Sequence, residues 1–334
     1  MNFEFLLIFL LSLGLINIIQ KKAHYLGFVD IPNERSSHEK RMPRGAGIGF
    51  YLAVVLVLPL FYFDIIFSYI WTALAIFCVF VVGVLDDHHD TSPNTKFFVI
   101  FFSTFLLYLD EIYISNIGTF FSYELSLSWF ALPFTAFSLV AFTNALNLID
   151  GLDGLAASVS IVILSTFFAI GYQNDDLFIM LISGSFISSL LAFLLYNWHP
   201  ASIFMGDSGS LTLGFVISLL AIKSLAYIPA ISILFIAAIP ILDTFIVVIL
   251  RKRNGRSIFS ADKCHIHHVL KVFFEKNIQK TVITLVIFQL IYSLIGFQLD
   301  KNINGEYLLL FFIVNITVFY LLLSFMIRRL KIEC

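Results

Sequence analysis

About eleven stretches dominated by Leu, Ile, Phe, Val and Ala follow one another along this chain, with short polar segments between them. They cover 3–20, 46–63, 66–85, 97–109, 128–148, 154–171, 177–196, 208–223, 228–250, 281–299 and 306–327. A helix of about 20 apolar residues crosses a hydrocarbon core, and in lipid a helix satisfies its own backbone hydrogen bonds. With 60% hydrophobic and 13% charged residues over 334 positions, too little polar surface remains to clad a water-soluble globule. The expected fold class is therefore all-α: a polytopic integral membrane protein, 1–334 forming one domain, with about eleven transmembrane helices. The runs 97–109 and 208–223 are short; the first is expected to extend or tilt through Phe97–Tyr113, leaving 114–127 as a non-cytoplasmic loop.

Cytoplasmic loops of membrane proteins retain Lys and Arg. All but Lys223 and Lys301 of the 20 basic residues fall in alternate segments, those after the first, third, ninth and eleventh runs. This places the N-terminus outside, the C-terminus in the cytoplasm, and the loops 21–45, 86–96, 149–154, 197–207 and 251–280 on the cytoplasmic face. The first run is followed by Lys21-Lys22, preceded by Glu4 and carries no small-residue cleavage site, so it is expected to remain as a helix. Cys78, Cys264 and Cys334 show no paired spacing, and no disulfide framework is expected.

The polar motifs collect on that one face. Asp86-Asp87-x-x-Asp90 is followed by Lys96; adjacent carboxylates share hard divalent cations such as Mg²⁺, which bind phosphate oxygens as well. Asn144-x-x-Asn147-x-x-Asp150-Gly-x-Asp153-Gly154 sets two acids three residues apart in a turn with permissive glycines. A carboxylate near a bilayer is costly, about 2.5–3.5 kcal/mol at its centre, so such a cluster implies a partner. Asn197-x-His199-Pro200 and Gly206-Asp207-Ser208-Gly209 follow; Asp207 is a third carboxylate candidate, and Ser208 stands where amides at a helix start can meet phosphate. The alternative for that tetrapeptide is an ordinary helix cap. The run His265-Ile266-His267-His268 could hold zinc, but the acids elsewhere favour magnesium, leaving the imidazoles to handle phosphate or sugar. Arg251–Arg253 reads as a topology anchor. The first loop, with His38 and Arg44 before Gly45-Ala46-Gly47, reads either as a phosphate holder or as a basic loop leading to a small-residue packing patch.

Taken together and in this order, these motifs resemble the polyprenyl-phosphate N-acetylhexosamine-1-phosphate transferases, glycosyltransferase family 4 of membrane enzymes, from about Pro32 to His268. Asp90 and the His-Ile-His-His form resemble the bacterial branch that uses UDP-N-acetylglucosamine rather than the phospho-N-acetylmuramoyl-pentapeptide branch. Gly45-Ala46-Gly47 departs from the fuller glycine run of the family. The resemblance implies transfer of GlcNAc 1-phosphate from a UDP-amino sugar to undecaprenyl phosphate at the bacterial cytoplasmic membrane, releasing UMP and starting a cell-envelope glycan such as lipopolysaccharide. It also implies Mg²⁺, with Mn²⁺ as a substitute, and a homodimer as a plausible assembly; no nucleic-acid partner is expected. Under it, Asp86, Asp87, Asp150, Asp153, His265, His267 and His268 are the expected catalytic group. Asn144, Asn147, Asn197, Lys96, Arg44, His38 and Ser208 are expected to bind substrate, and Asp207, Asp87 and Asn147 to hold the metal. The rival class is an ion-coupled transporter, but no internal repeat is evident and the acids sit at helix ends rather than at the midplane.

Overall fold

The computed structural model describes residues 3–30, 41–121, 123–257, 264–299 and 304–332. Each of the eleven apolar runs is helical. In chain order they form α1 (Phe3–Leu26), α2 (Ala46–Ser68), α3 (Ile70–His89), α4 (Pro93–Leu109), α5 (Ala131–Ile149), α6 (Leu155–Gln173), α7 (Leu177–Asn197) and α8 (Asp207–Ser224). The ninth run is two helices, α9 (Ala230–Ile236) and α10 (Ala238–Arg253); α11 (Ile266–Phe273) follows, then α12 (Ile278–Gln298) and α13 (Gly305–Leu330). Eight of these are long and apolar enough to cross a membrane, or nine if α9 and α10 count as one bent span. All eleven expected runs are thus helical, and two of them, α4 and α8, fall short of a membrane span in length or apolarity.

Three expectations are corrected. The segment 114–127 contains an antiparallel hairpin, Asn116–Phe120 with Tyr123–Ser126, rather than only loop. The ninth run is bent by 88° at Ala237. Pro240 explains the bend: it has no N–H to give to the carbonyl four residues earlier, and its ring collides with that carbonyl, which belongs to Ile236. Lastly, Cys264 is disulfide-bonded while Cys78 is a free thiol.

The architecture centres on α8. Every residue of α8 except Asp207 and Lys223 is buried, and α2, α3, α5, α6 and α7 surround it. Small residues allow the approach. A Cβ on Gly47 would fall 2.1 Å from the amide nitrogen of Gly209, so Gly45-Ala46-Gly47 is the packing patch of the two readings above. The amides of Ala46 and Gly47 donate to the carbonyls of Phe204 and Met205, tying the start of α2 to the segment before α8.

Candidate active site

The site forms where α3, α5 and α7 end and where α4, α6 and α8 begin. Asp87, at the end of α3, is buried and receives two backbone amides: Asp207 N–H donates to its Oδ1 (2.8 Å) and Ser208 N–H to its Oδ2 (3.0 Å). A carboxylate there stabilises the exposed amides and positive dipole end of α8. Gly206 is required beside it. Its φ is +76°, and a Cβ would meet the Asp87 carboxylate at 2.5 Å. Asp87 thus anchors the start of α8, with one backbone amide on each of its oxygens. Ser208 sits in the same turn: its amide goes to Asp87 and its side chain is fully buried.

Asp86 and Asp207 face each other across one cation. The Lys96 ammonium lies 2.8 Å from Asp86 Oδ2 and 2.5 Å from Asp207 Oδ2. Thr91 fixes the other oxygen of Asp86, donating from its N–H and its hydroxyl at 2.7 Å each. The other oxygen of Asp207 accepts from Asn147 Nδ2 at 3.0 Å, and the same amide nitrogen donates to Ser210 Oγ at 2.8 Å. This orientation leaves the Asn147 carbonyl oxygen free of those bonds.

Asp150, just after α5, completes a knot of negative charge. Its surface is partly open, yet protein encloses it closely enough for desolvation to raise its carboxyl well above the ordinary value, helped by the charges of Asp207, Asp87 and Asp153. Three residues on, Asp153 Oδ2 pairs with His199 Nδ1 (2.7 Å) and accepts from Ala201 N–H (3.1 Å), holding the loop between α7 and α8. Asn197 is buried and bridges backbone: Gly154 N–H donates to its Oδ1, and its Nδ2 donates to the Ile203 carbonyl. Asn144 donates back to Val140 in its own helix. Both amide nitrogens are thus engaged on backbone carbonyls. Arg44 lies 3.9 Å from Asp90. His38 lies outside the described residues.

The histidines reach this knot from α11. A Cβ on Gly151 would fall 2.7 Å from His267 Nε2, so the imidazole packs directly on the Asp150–Asp153 turn. One residue that sequence reasoning missed arranges them. Asp243, buried in α10, pairs through Oδ2 with His265 Nδ1 (2.9 Å) and accepts from Ile266 N–H through Oδ1 (2.6 Å). His267 Nδ1 is 3.7 Å away, too far for a hydrogen bond but near enough to feel the charge. Burial, and then the neighbouring His267 and His265, push His268 down to about 3, so it stays neutral at physiological pH. A lone acid inside an apolar run was the available signal for Asp243.

The fold and site define a multi-pass membrane protein whose carboxylates, one lysine and a histidine run converge at the ends of its helices. Residues 69–225 match the model of glycosyl transferase family 4. A probable undecaprenyl-phosphate N-acetylglucosaminyl 1-phosphate transferase of Bacillus subtilis (strain 168) is 36% identical over 268 residues, covering 77% of this chain and 73% of the relative. An undecaprenyl-phosphate alpha-N-acetylglucosaminyl 1-phosphate transferase of Yersinia pestis is 31% identical over 280 residues, 81% of this chain and 76% of its own length. A phospho-N-acetylmuramoyl-pentapeptide-transferase of Caldanaerobacter subterraneus is 36% identical, but over only 49% of this chain and 54% of its own. The chain belongs to glycosyl transferase family 4.

Proposed function

We propose that the protein transfers N-acetylglucosamine 1-phosphate from UDP-N-acetylglucosamine to undecaprenyl phosphate, giving undecaprenyl-diphospho-N-acetylglucosamine and UMP. The carrying observation is the convergence of Asp86, Lys96, Asn147, Asp150 and Asp207 at one end of the bundle, in a chain related along most of its length to enzymes named for this transfer. That end faces the cytoplasm by the distribution of Lys and Arg, and the membrane is the bacterial inner membrane.

An oxygen of the lipid phosphate attacks the phosphorus next to the sugar, the bond between the two phosphates of the nucleotide sugar breaks, and UMP departs. One pyrophosphate is exchanged for another, so the reaction is close to balanced. The obstacle is bringing anions together, and the donor types suit a divalent cation: Asp150 is a desolvated carboxylate that feels the charge of Asp207, and hard oxygen donors suit Mg²⁺. Asp207 and Asp150, with the Asn147 carbonyl oxygen, would hold it. When bound, Mg²⁺ neutralises the pyrophosphate and orients it. Lys96, shared by Asp86 and Asp207, supplies a positive charge to an entering phosphate. Asp243 fixes His265, while neutral His268 offers hydrogen bonds without adding charge.

Membranes containing the protein, supplied with undecaprenyl phosphate, magnesium and radiolabelled UDP-N-acetylglucosamine, should yield a labelled product that partitions into organic solvent. Failure to form such a product with any UDP-amino sugar overturns the proposal.

A further inference from the structure

The bend between α9 and α10 leaves backbone groups without helical partners, inside a segment where water is scarce and an unsatisfied peptide group costs several kcal/mol. One buried side chain on another helix takes up groups on both sides of the break. Gln289 of α12 accepts from Ile239 N–H through Oε1 (3.0 Å), on the α10 side. Its Nε2 donates to the Ile236 carbonyl (2.7 Å), on the α9 side and the very group that Pro240 strands. Ser293, one turn further along α12, adds a hydroxyl to the same carbonyl (3.0 Å) and receives Gln289 Nε2 at 2.8 Å. Gln289 and Ser293 are both buried.

This staple acts on more than the fold. Asp243 lies four residues beyond Ile239 on α10, and it is Asp243 that grips His265 and the first amide of α11. His267, on the same turn, rests against Gly151 beside Asp150. A rotation or slide of α10 at the break carries Asp243 with it, and the histidines follow.

We infer that Gln289 is a positioning residue: by clasping both sides of the broken helix it sets where Asp243, and through it the His265–His268 run, stands against the carboxylates. The inference rests on the transfer activity proposed above. It does not require Gln289 to touch substrate, and it gives a fully buried amide in the middle of α12 a task that α12 alone does not explain.

The test is a double-mutant cycle on the full-length protein in detergent with UDP-N-acetylglucosamine and undecaprenyl phosphate. Gln289→Leu keeps the bulk and removes both polar contacts; kcat should fall on the order of tenfold while KM for the nucleotide sugar changes less. In an Asp243→Asn background the same change should cost almost nothing further, because the route through Asp243 is already cut. Equal losses in both backgrounds, or an unchanged kcat, overturn the inference. If Gln289→Leu does not fold, Gln289→Glu decides. A buried glutamic acid has a raised pKa and, protonated, can still donate to Ile236; ionised, it cannot. Its kcat should match the parent at acid pH and fall as pH rises, on a limb the parent lacks, whereas a pH profile parallel to the parent's overturns the inference. An inactive parent protein would count against the proposed function instead, so the two failures are distinguishable.

Discussion

Replacing Asp87 by Asn separates an anchoring carboxylate from a metal-binding one. Asp87 is buried and receives the amides of Asp207 and Ser208 at 2.8 and 3.0 Å. A hydrogen bond to a charged acceptor contributes about 1.5–3 kcal/mol, and stranding a buried donor costs about 1–3 kcal/mol. Asparagine keeps one acceptor oxygen and turns an NH2 group toward the second amide, so one bond is lost, the other is weakened, and a donor faces a donor. The expected loss is about 2–3 kcal/mol of stability, a sizeable part of the roughly 5–15 kcal/mol typical of folded proteins. Because the group displaced is the first turn of α8, Asp207 moves with it and turnover falls as well. The assay pairs a melting curve, from size-exclusion of heated detergent-solubilised protein, with the labelled-lipid assay over a magnesium series. Asp87→Asn should melt several degrees below the parent, with excess magnesium failing to restore its rate. A parental melting temperature combined with a rate rescued by magnesium would refute the anchoring argument and return Asp87 to the metal.

Three further outcomes follow from the geometry. Asp207→Asn removes the charge that Lys96 and the proposed cation share, and should lower turnover by on the order of 100-fold or more without loss of the folded protein on size-exclusion; near-parental activity would count against its role. Gly151→Ala puts a methyl group 2.7 Å from His267 Nε2, and should reduce kcat about tenfold with a parental melting temperature, as a change confined to a turn against a packed imidazole. Asp150 has a raised pKa, so it is protonated further up the pH scale than an ordinary carboxyl, and a metal must displace that proton. The magnesium concentration for half-maximal rate should therefore fall as pH rises, by up to about tenfold per unit below that pKa, and Asp150→Asn should flatten the dependence; a pH-independent magnesium requirement in the parent would contradict it.

The bundle was legible because bilayer length imposes a period that no soluble core demands, and each apolar run became a helix. What the runs hid was internal. Pro240 stood in plain view within 228–250, but hydropathy averages over a window and does not register one missing N–H. Asp243 escaped for a related reason, since one acid among so many apolar neighbours leaves the run apolar. The motif residues were found because polar types cluster at helix ends, yet type does not say which way a side chain turns. Asn197 and Asn147 both look like ligands in sequence; one bridges Gly154 and Ile203 in the interior, the other reaches Asp207. Asp87 and Asp86 are neighbours on one helix, about 100° apart around its axis, and that step sends one to a helix start and the other to Lys96.

The enclosure of α8 bears on how the protein is made. Helices enter the bilayer as the chain emerges from the ribosome, and each is judged by its own affinity for lipid. α8 carries Asp207, Lys223 and four further hydroxyl-bearing residues before its end, and it is not among the eight helices apolar enough to cross unaided. Nearly all of its mature surroundings are protein. The helices that surround it, α2, α3, α5, α6 and α7, all precede it in the chain, so the socket is synthesised before the peg. This helix, with Asp207 at its tip, can then leave the aqueous channel for a site already lined by its partners.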